Sequence, residues 1–361
     1  PYASMLRSIV STWVDDGHEV EVFSTQPSYK PGAINTKRNR VEIIDGARVQ
    51  RIRLPLEFQG KKLRRIINLL RFICSIMLFI FKRPKFDVIM ASTAPPVFVG
   101  VAARIGAALT GAKFVYHCMD LHPEIGRLSG EFKNNAVYKL LLSLDAKSCA
   151  KSTKVVVLSE DMKRAVLARP NCQKADVEII NNFALPIFED EISIPREMLK
   201  SNGVFRLLFA GNIGNFQGLE YFIEAMHTIK NPSIELVFVG EGKAKAELQS
   251  KAGKLLHSSV KFFPHQSVYV AKSLMKDADV CIVSLIPNVI KYAYPSKVMT
   301  YLESKKPILA AIEIDSELGS LIKEQQIGLC VEQGDAKSIA KGIQSIVCHE
   351  NYKTIAQNVH N

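Results

Sequence analysis

The chain has 361 residues, 47% of them apolar, which exceeds one ordinary hydrophobic core and predicts a folded protein of two domains. Lys and Arg outnumber Asp and Glu by 47 to 35, and the net charge of +12 favours anionic partners. The seven cysteines are scattered and lack any CxxC spacing, which argues against a disulfide framework or a zinc site and for a reducing compartment.

No signal peptide is visible, because Pro1 is followed closely by the mixed-polarity run MLRSIVSTWVDDGHEV. Ser4 to Trp13 reads as a helix ended by Asp15-Asp16-Gly17. A chain that starts in a helix without an initiator Met leads us to expect an opening strand and loop ahead of it. His18 to Ser24 alternates as a strand, Gln26 to Asn39 reads as a polar loop, and Val41 to Leu54 as a hairpin-like pair around Asp45-Gly46.

Between Phe58 and Phe86 stand eight basic residues, Lys61, Lys62, Arg64, Arg65, Arg71, Lys82, Arg83 and Lys85, and no acidic one. They flank the sixteen residues IINLLRFICSIMLFIF, broken by Asn68 and Arg71. That run is shorter than the roughly 20 apolar residues that cross a bilayer. We expect it to lie on an anionic membrane surface, with its basic flanks on headgroups and its Leu, Ile and Phe in the acyl boundary. The competing explanation is an internal amphipathic helix with solvated ends. Nucleic acid is disfavoured, since the basic clusters flank aliphatic residues and do not interleave with stacking aromatics.

The rest of the first half alternates regularly. Strands are expected at Phe86–Ala91, Lys113–Cys118, Lys154–Ser159 and Val177–Asn181, and helices at Val97–Leu109, Ala136–Ala150 and Asp161–Ala168. Phe188 to Asn202, polar and interrupted by Pro195, reads as the linker, which sets domains at residues 1–187 and 188–361. The pattern then restarts with strands at Leu207–Ala210, Glu235–Val239, Val260–Phe263, Val280–Val283, Ile308–Ala311 and Gly328–Val331. Such alternation implies a parallel sheet flanked by helices in each half, and two doubly wound, Rossmann-like α/β domains facing across a cleft.

Two stretches of the second half look suited to an anion. Gly211, Gly214 and Gly218 form a glycine turn between a buried strand and a helix whose apolar face is Leu219, Phe222, Ile223, Met226 and Ile229. Free amides and the helix dipole would favour a diphosphate there. The spacing fits neither GxGxxG nor GxxxxGK[ST], so a plain βα turn is an equal reading. The second stretch, Tyr294-Pro295-Ser296-Lys297, places Pro295 in a first helical turn, with the Ser296 hydroxyl and Lys297 ammonium at its positive end. A capped surface helix is the bland alternative.

Taken together, AGNIGNFQGLEYFIEAM, IELVFVGEGKAKAEL, VKFFPHQSV, KDADVCIVSL and YPSKVMTYLESKKPILA resemble the C-terminal domain of GT-B glycosyltransferases of family 4. TAPPVFVGVAARI, FVYHCMDLHPE, KSTKVVVLSEDMKRAV and VEIINNF resemble the N-terminal domain of that family. DLHPE with GNIG-x-x-QG and PSK is closest to the bacterial branch that builds surface polysaccharides such as O-antigen, N-acetylfucosamine transferases included.

The resemblance implies a nucleotide-sugar donor, a UDP-sugar foremost, transferred with retention to a polyprenyl-diphosphate-linked glycan at the cytoplasmic face of the inner membrane. It implies no metal and no cofactor. Gly211, Asn212, Ile213, Gly214 and Gln217 would surround the donor, with Lys297 and Ser296 on its diphosphate. Phe263, Pro264 and His265 would meet the base, and Glu241 would stand on a neighbouring loop of the same face. The family's paired glutamates fall at Tyr292 and Thr300, neither acidic. Thr300 is left to bond a ribose hydroxyl, and Glu303, one turn on, is a possible substitute. On the other domain His117 would touch the donor sugar, and Asp120 or Glu124 would orient or deprotonate the acceptor. Ser92, Thr93 and Pro95 lie at the neighbouring strand end. An epimerase on the same fold, or a non-catalytic glycan-binding scaffold, remains an alternative.

Overall fold

The computed structural model describes residues 2–26, 40–55, 62–82, 85–184 and 193–360. Contacts divide the chain into two compact units, one of Pro1–Pro123, Phe132–Val157 and Val166–Ile180, the other of Glu124–Glu131, Leu158–Ala165 and Asn181–Asn361. The second unit therefore takes in two short stretches well ahead of the expected boundary at 187 and 188. Of the expected linker, residues 188–192 lie outside the described residues, and Arg196–Met198 form a 3-10 turn.

The first unit opens with helix α1 (Tyr2–Asp15) and strands β1 (Glu21–Thr25), β2 (Val41–Ile44) and β3 (Ala47–Ile52). Asp45 and Gly46 both have positive φ, 47° and 77°, as a two-residue hairpin turn requires. A Cβ on Gly46 would lie 2.5 Å from Val14 Cγ1, so α1 can cover this turn only because residue 46 is glycine. Helix α2 (Lys62–Phe81), strand β4 (Val88–Ser92), helix α3 (Phe98–Thr110), strand β5 (Lys113–His117), the short helix α4 (Glu124–Leu128), helix α5 (Asn135–Ala150), strand β6 (Lys154–Val157), helix α6 (Glu160–Leu167) and strand β7 (Val177–Ile179) follow in the chain, of which α4 and most of α6 belong to the second unit.

The single parallel sheet expected for this half is instead two sheets among the described residues. Strands β4-β5-β6-β7 are parallel in that order, while β1-β3-β2 form a separate mixed sheet. The antiparallel pairing within the smaller sheet has a local reason: two residues between β2 and β3 can join only antiparallel neighbours, whereas parallel ones need a crossover of a dozen or more. Helix α2 buries Phe72, Ile76 and Ile80 against Ala102 of α3, with Phe23 and Ile89 alongside. Asn68, the polar break in its apolar run, is on the buried face and donates to Pro55 O at 2.9 Å.

The second unit holds one six-stranded parallel sheet. Its strands are β8 (Phe205–Ala210), β9 (Ile234–Val239), β10 (Val260–Phe263), β11 (Val280–Ser284), β12 (Ile308–Ala311) and β13 (Gly328–Val331). Between and after them run helices α7 (Glu220–Thr228), α8 (Lys245–Ala252), α9 (Val268–Asp277), α10 (Lys297–Glu303), α11 (Glu317–Glu324), α12 (Ala336–Val347) and α13 (His349–His360). Strands β9 and β11 are buried along their whole length, which explains their near-continuous Val, Ile and Leu. The strand order β10-β9-β8-β11-β12-β13 starts at the centre, runs outward on one side and resumes on the other. The topological switch therefore lies between β8 and β11, the place where open α/β sheets bind ligands beyond their carboxyl ends. At the opposite end of β8, buried Arg206 bonds Glu235 at 2.5 Å, Asp277 at 2.9 Å and Met198 O at 2.8 Å.

Candidate functional site

Both anion-suited stretches arise at this switch: the glycine turn leaves β8, and Pro295-Ser296-Lys297 lead from β11 into α10. Fixed bonds tie them together. The Tyr301 hydroxyl of α10 accepts from Ala210 N at 3.1 Å, just ahead of Gly211. Ser284 Oγ, at the end of β11, donates to Gln217 O at 2.5 Å, and Ile286 N donates to Phe216 O at 2.9 Å. Neither Tyr301 nor Ser284 stands out in the sequence, since each looks like one more residue of an apolar helix or strand.

The glycine turn is stacked on the next strand-end turn. Gly211 N donates to Val239 O and Ile213 N to Glu241 O, both at 2.9 Å, and Ala244 N donates to Ile213 O at 3.1 Å. Gly240 has φ 152°, and a Cβ there would stand 1.9 Å from Gly211 O; a Cβ on Gly242 would stand 2.0 Å from Ile213 O. The two glycines of GEG thus serve close backbone approach. Some of the amides expected to be free around the turn are thereby engaged. Those of Gly211 and Ile213 are spent on backbone carbonyls, that of Gly214 on Gln217 Oε1 at 3.0 Å, and those of Tyr221 and Phe222 on the first turn of α7. Only the Gly214 amide is held by a side chain, which a ligand can displace.

Lys297 contrasts with these engaged groups. Its ammonium nitrogen is out of reach of solvent, although part of the side chain is exposed, and it has no hydrogen-bond partner among the described residues. It lies 3.5 Å from the centroid of the Phe209 ring, and a Cβ on Gly211 would be 3.6 Å from it. The structure therefore brings Lys297 and Gly211 together. Burial pulls the Lys297 pKa down from 10.5 to about 7. A desolvated ammonium that faces a π cloud and no carboxylate is built for an anion from outside the chain.

The remaining donor-side residues are spread along the same sheet edge. Asn212 and Ser296 are exposed, and Gln217 is buried. Thr300 and Glu303 follow Lys297 along α10, but exposed Glu303 is ion-paired with Lys272 of α9 at 2.8 Å, so its carboxylate is already engaged. Glu241 is ion-paired with Lys245 at 2.7 Å. Phe263, Pro264 and His265 stand at the end of edge strand β10, two strands from β8, with Phe263 O accepting from Gly240 N at 3.0 Å.

In the first unit, His117 ends β5 and is buried, which lowers its pKa and favours neutral imidazole. Asp120 follows on the loop, its pKa pushed up to about 6 by burial, and its amide is 3.5 Å from Thr93 Oγ1. Glu124, also buried, opens α4, which belongs to the second unit. Among the described residues no group of three or more His, Cys, Asp or Glu is placed to hold a metal ion.

Of the basic residues around the apolar run, Lys61 and Arg83 lie outside the described residues, and only the backbone of Lys62 and Arg65 is described. Arg71, Lys82 and Lys85 are exposed, and Arg64 partly so. The face of α2 opposite its buried residues presents Ile67, Leu70, Cys74, Leu78 and Phe81, all exposed. No described helix is long and apolar enough to cross a membrane.

Comparison with known proteins adds to this geometry. Residues 2–182 match the family model described as "Glycosyl transferase 4-like domain", and residues 204–349 that described as "Glycosyl transferases group 1". A relative in Escherichia coli (strain K12), WcaI, named as a colanic acid biosynthesis glycosyl transferase, is 26% identical over 356 residues, spanning 94% of this chain and 87% of its own length. Sucrose-phosphate synthase from Thermosynechococcus elongatus superposes with a TM-score of 0.73 at 16% identity, over 98% of this chain and 86% of the other. Anabaena HepE in complex with UDP gives 0.62 at 15%, over 94% and 93%. These likenesses show a GT-B fold with two parallel-sheet α/β domains.

Proposed function

This chain belongs to the group 1 glycosyltransferases with a 4-like domain, and we propose that it moves a hexosyl or N-acetylhexosaminyl group from a UDP-sugar to a lipid-linked glycan in surface-polysaccharide synthesis. The observation that carries the donor assignment is the unpartnered Lys297 ammonium beside Gly211. The likeness to a UDP-bound structure and to a relative named for colanic acid synthesis supports the choice of donor and pathway.

In this reaction the bond from the anomeric carbon to the diphosphate breaks, and its electron pair leaves with the nucleotide. A bond to the acceptor oxygen forms, and the hydroxyl proton is lost. Lys297, held over Phe209, stabilises the charge that grows on the departing diphosphate, and a phosphate oxygen replaces Gln217 Oε1 on the Gly214 amide. No metal enters this scheme. Asp120, more basic than an ordinary carboxylate yet ionised at neutral pH, takes the acceptor proton. Neutral His117 offers one donor and one acceptor nitrogen to a sugar hydroxyl. Retention of anomeric configuration rests on the family.

We place the enzyme on an anionic membrane surface through α2, whose exposed apolar face lies between basic residues as an interfacial helix requires. Cys74, in the middle of that face, offers a reporter. In a Cys348→Ser background, a polarity-sensitive fluorophore on Cys74 should shift to the blue with vesicles holding anionic lipid; an unchanged spectrum refutes the placement.

The test of function is calorimetric titration with UDP and then with a panel of UDP-sugars, N-acetylfucosamine among them, followed by product analysis with and without lipid acceptor. UDP binding equally tight in Lys297→Met overturns the donor site. Donor conversion without acceptor would identify an epimerase instead.

A further inference from the structure

We propose that Asp145 is a positioning residue for transfer, a single carboxylate that holds both ends of the loop carrying His117, Asp120 and His122. The inference rests on the functional reading above for what that loop does, and on the first unit alone for how it is held.

The clamp runs through three buried side chains, those of Tyr116, Asp145 and Arg169. At the strand end, Tyr116 of β5, next to His117, donates its hydroxyl to Asp145 Oδ1 at 2.5 Å. At the far end, Arg169 donates through Nη1 to Asp145 Oδ2 at 2.7 Å and through Nη2 to the carbonyl of His122 at 2.9 Å. Arg169 Nη1 also lies 3.4 Å from Cys149 Sγ. Tyr116, Asp145 and Arg169 are each at most 3% exposed. The Tyr116 ring is itself fixed, since Gly100 of α3 leaves the space it fills; a Cβ there would lie 2.7 Å from its Cζ.

A buried ion pair is poor evidence for stability, because well-packed apolar side chains often serve as well or better. What apolar side chains cannot supply is direction. The guanidinium fork fixes the His122 carbonyl relative to the same carboxylate that fixes the strand, so the five residues from His117 to Leu121 span two anchored points. A loop so held presents His117 and Asp120 in one geometry, which general-base work on an acceptor hydroxyl demands.

The test uses the full chain with Tyr116→Phe, which removes one bond, and Arg169→Lys, which keeps the charge but loses the fork. Hydrogen exchange of the amides from Cys118 to His122 should accelerate at least tenfold in both, well below the unfolding transition. UDP affinity, measured calorimetrically, should stay within twofold of wild type. With the UDP-sugar and lipid extract that support wild-type turnover, kcat or the acceptor KM should worsen at least tenfold while the donor KM holds. Unchanged loop exchange overturns the proposal, and so does a parallel loss of UDP affinity and turnover, which marks general destabilisation. Should the wild-type protein transfer no sugar, the functional reading is what fails, and loop exchange alone then decides the clamp.

Discussion

Replacing Lys297 by Met, which keeps the stem and removes the charge, should make the unliganded protein more stable and its nucleotide complex weaker. The Lys297 pKa falls from 10.5 to about 7 by burial. At about 1.4 kcal/mol per unit, the protonated form costs the folded state up to ~5 kcal/mol. The sign follows from linkage. A lysine depressed in the folded state destabilises as pH falls below its unfolded pKa, and the loss is complete below the folded value. The Phe209 contact returns about 1–2 kcal/mol. Lys297→Met should therefore gain about 2 kcal/mol at pH 8 and roughly a further 1 kcal/mol at pH 6. Urea unfolding at both pH values, followed by a probe of the second domain, measures this. For UDP the variant should lose about 1.5–3 kcal/mol, roughly 10- to 150-fold in affinity. Wild-type affinity should weaken by up to about tenfold per pH unit above 7, with nearly one proton taken up on binding at pH 8. A destabilised variant, or one whose stability gain does not grow as pH falls, would refute the reasoning.

Other changes separate the scaffold from the site. Gly240→Ala puts a Cβ 1.9 Å from Gly211 O at φ 152°, so it should displace the glycine turn, cost about 1–3 kcal/mol or more in urea unfolding, and abolish UDP binding. Tyr301→Phe loses the bond to Ala210 N, which should cost about 1 kcal/mol and weaken UDP severalfold by loosening α10. Arg206→Ala, at the opposite end of β8, leaves Glu235 buried without it and should cost about 3–5 kcal/mol with UDP affinity unchanged at temperatures where the protein is folded. Turnover should survive excess chelator; its loss would show that the diphosphate needs more than Lys297.

The sequence carried the sheet of the second domain well, because its strands read as short apolar runs, three of which, β8, β9 and β10, end directly at Gly211, Gly240 and Pro264. Strands β10, β12 and β13 match the expected boundaries residue for residue. The pairing of the glycine turn with Pro295-Ser296-Lys297 was also legible, since each is a local departure from helix or strand chemistry. What escaped depends on contacts between residues far apart in the chain. Glu303 has the spacing of a ligand-facing residue, and only the packing of α9 beside α10 shows its carboxylate given to Lys272. Cys118, Cys149 and Cys172 look scattered at intervals of 31 and 23 residues, yet all three are buried, with Cys149 Sγ 3.4 Å from Arg169 Nη1 and Cys172 Sγ donating to Ala146 O at 3.2 Å.

The glycine turn shows most clearly where local reading stops. Three glycines ahead of an apolar helix suggest amides waiting for phosphate, and nothing in that stretch reveals that neighbouring carbonyls already occupy the amides of Gly211 and Ile213. A buried charge some eighty residues further on is left unpaired among the described residues, recognisable only once Tyr301 has fixed α10 beside Ala210. The anion seat is thus built less by the turn than by what the turn allows. Without side chains at residues 240 and 242, two backbone layers close up, and a lysine whose ammonium has no hydrogen-bond partner among the described residues lies beside Gly211.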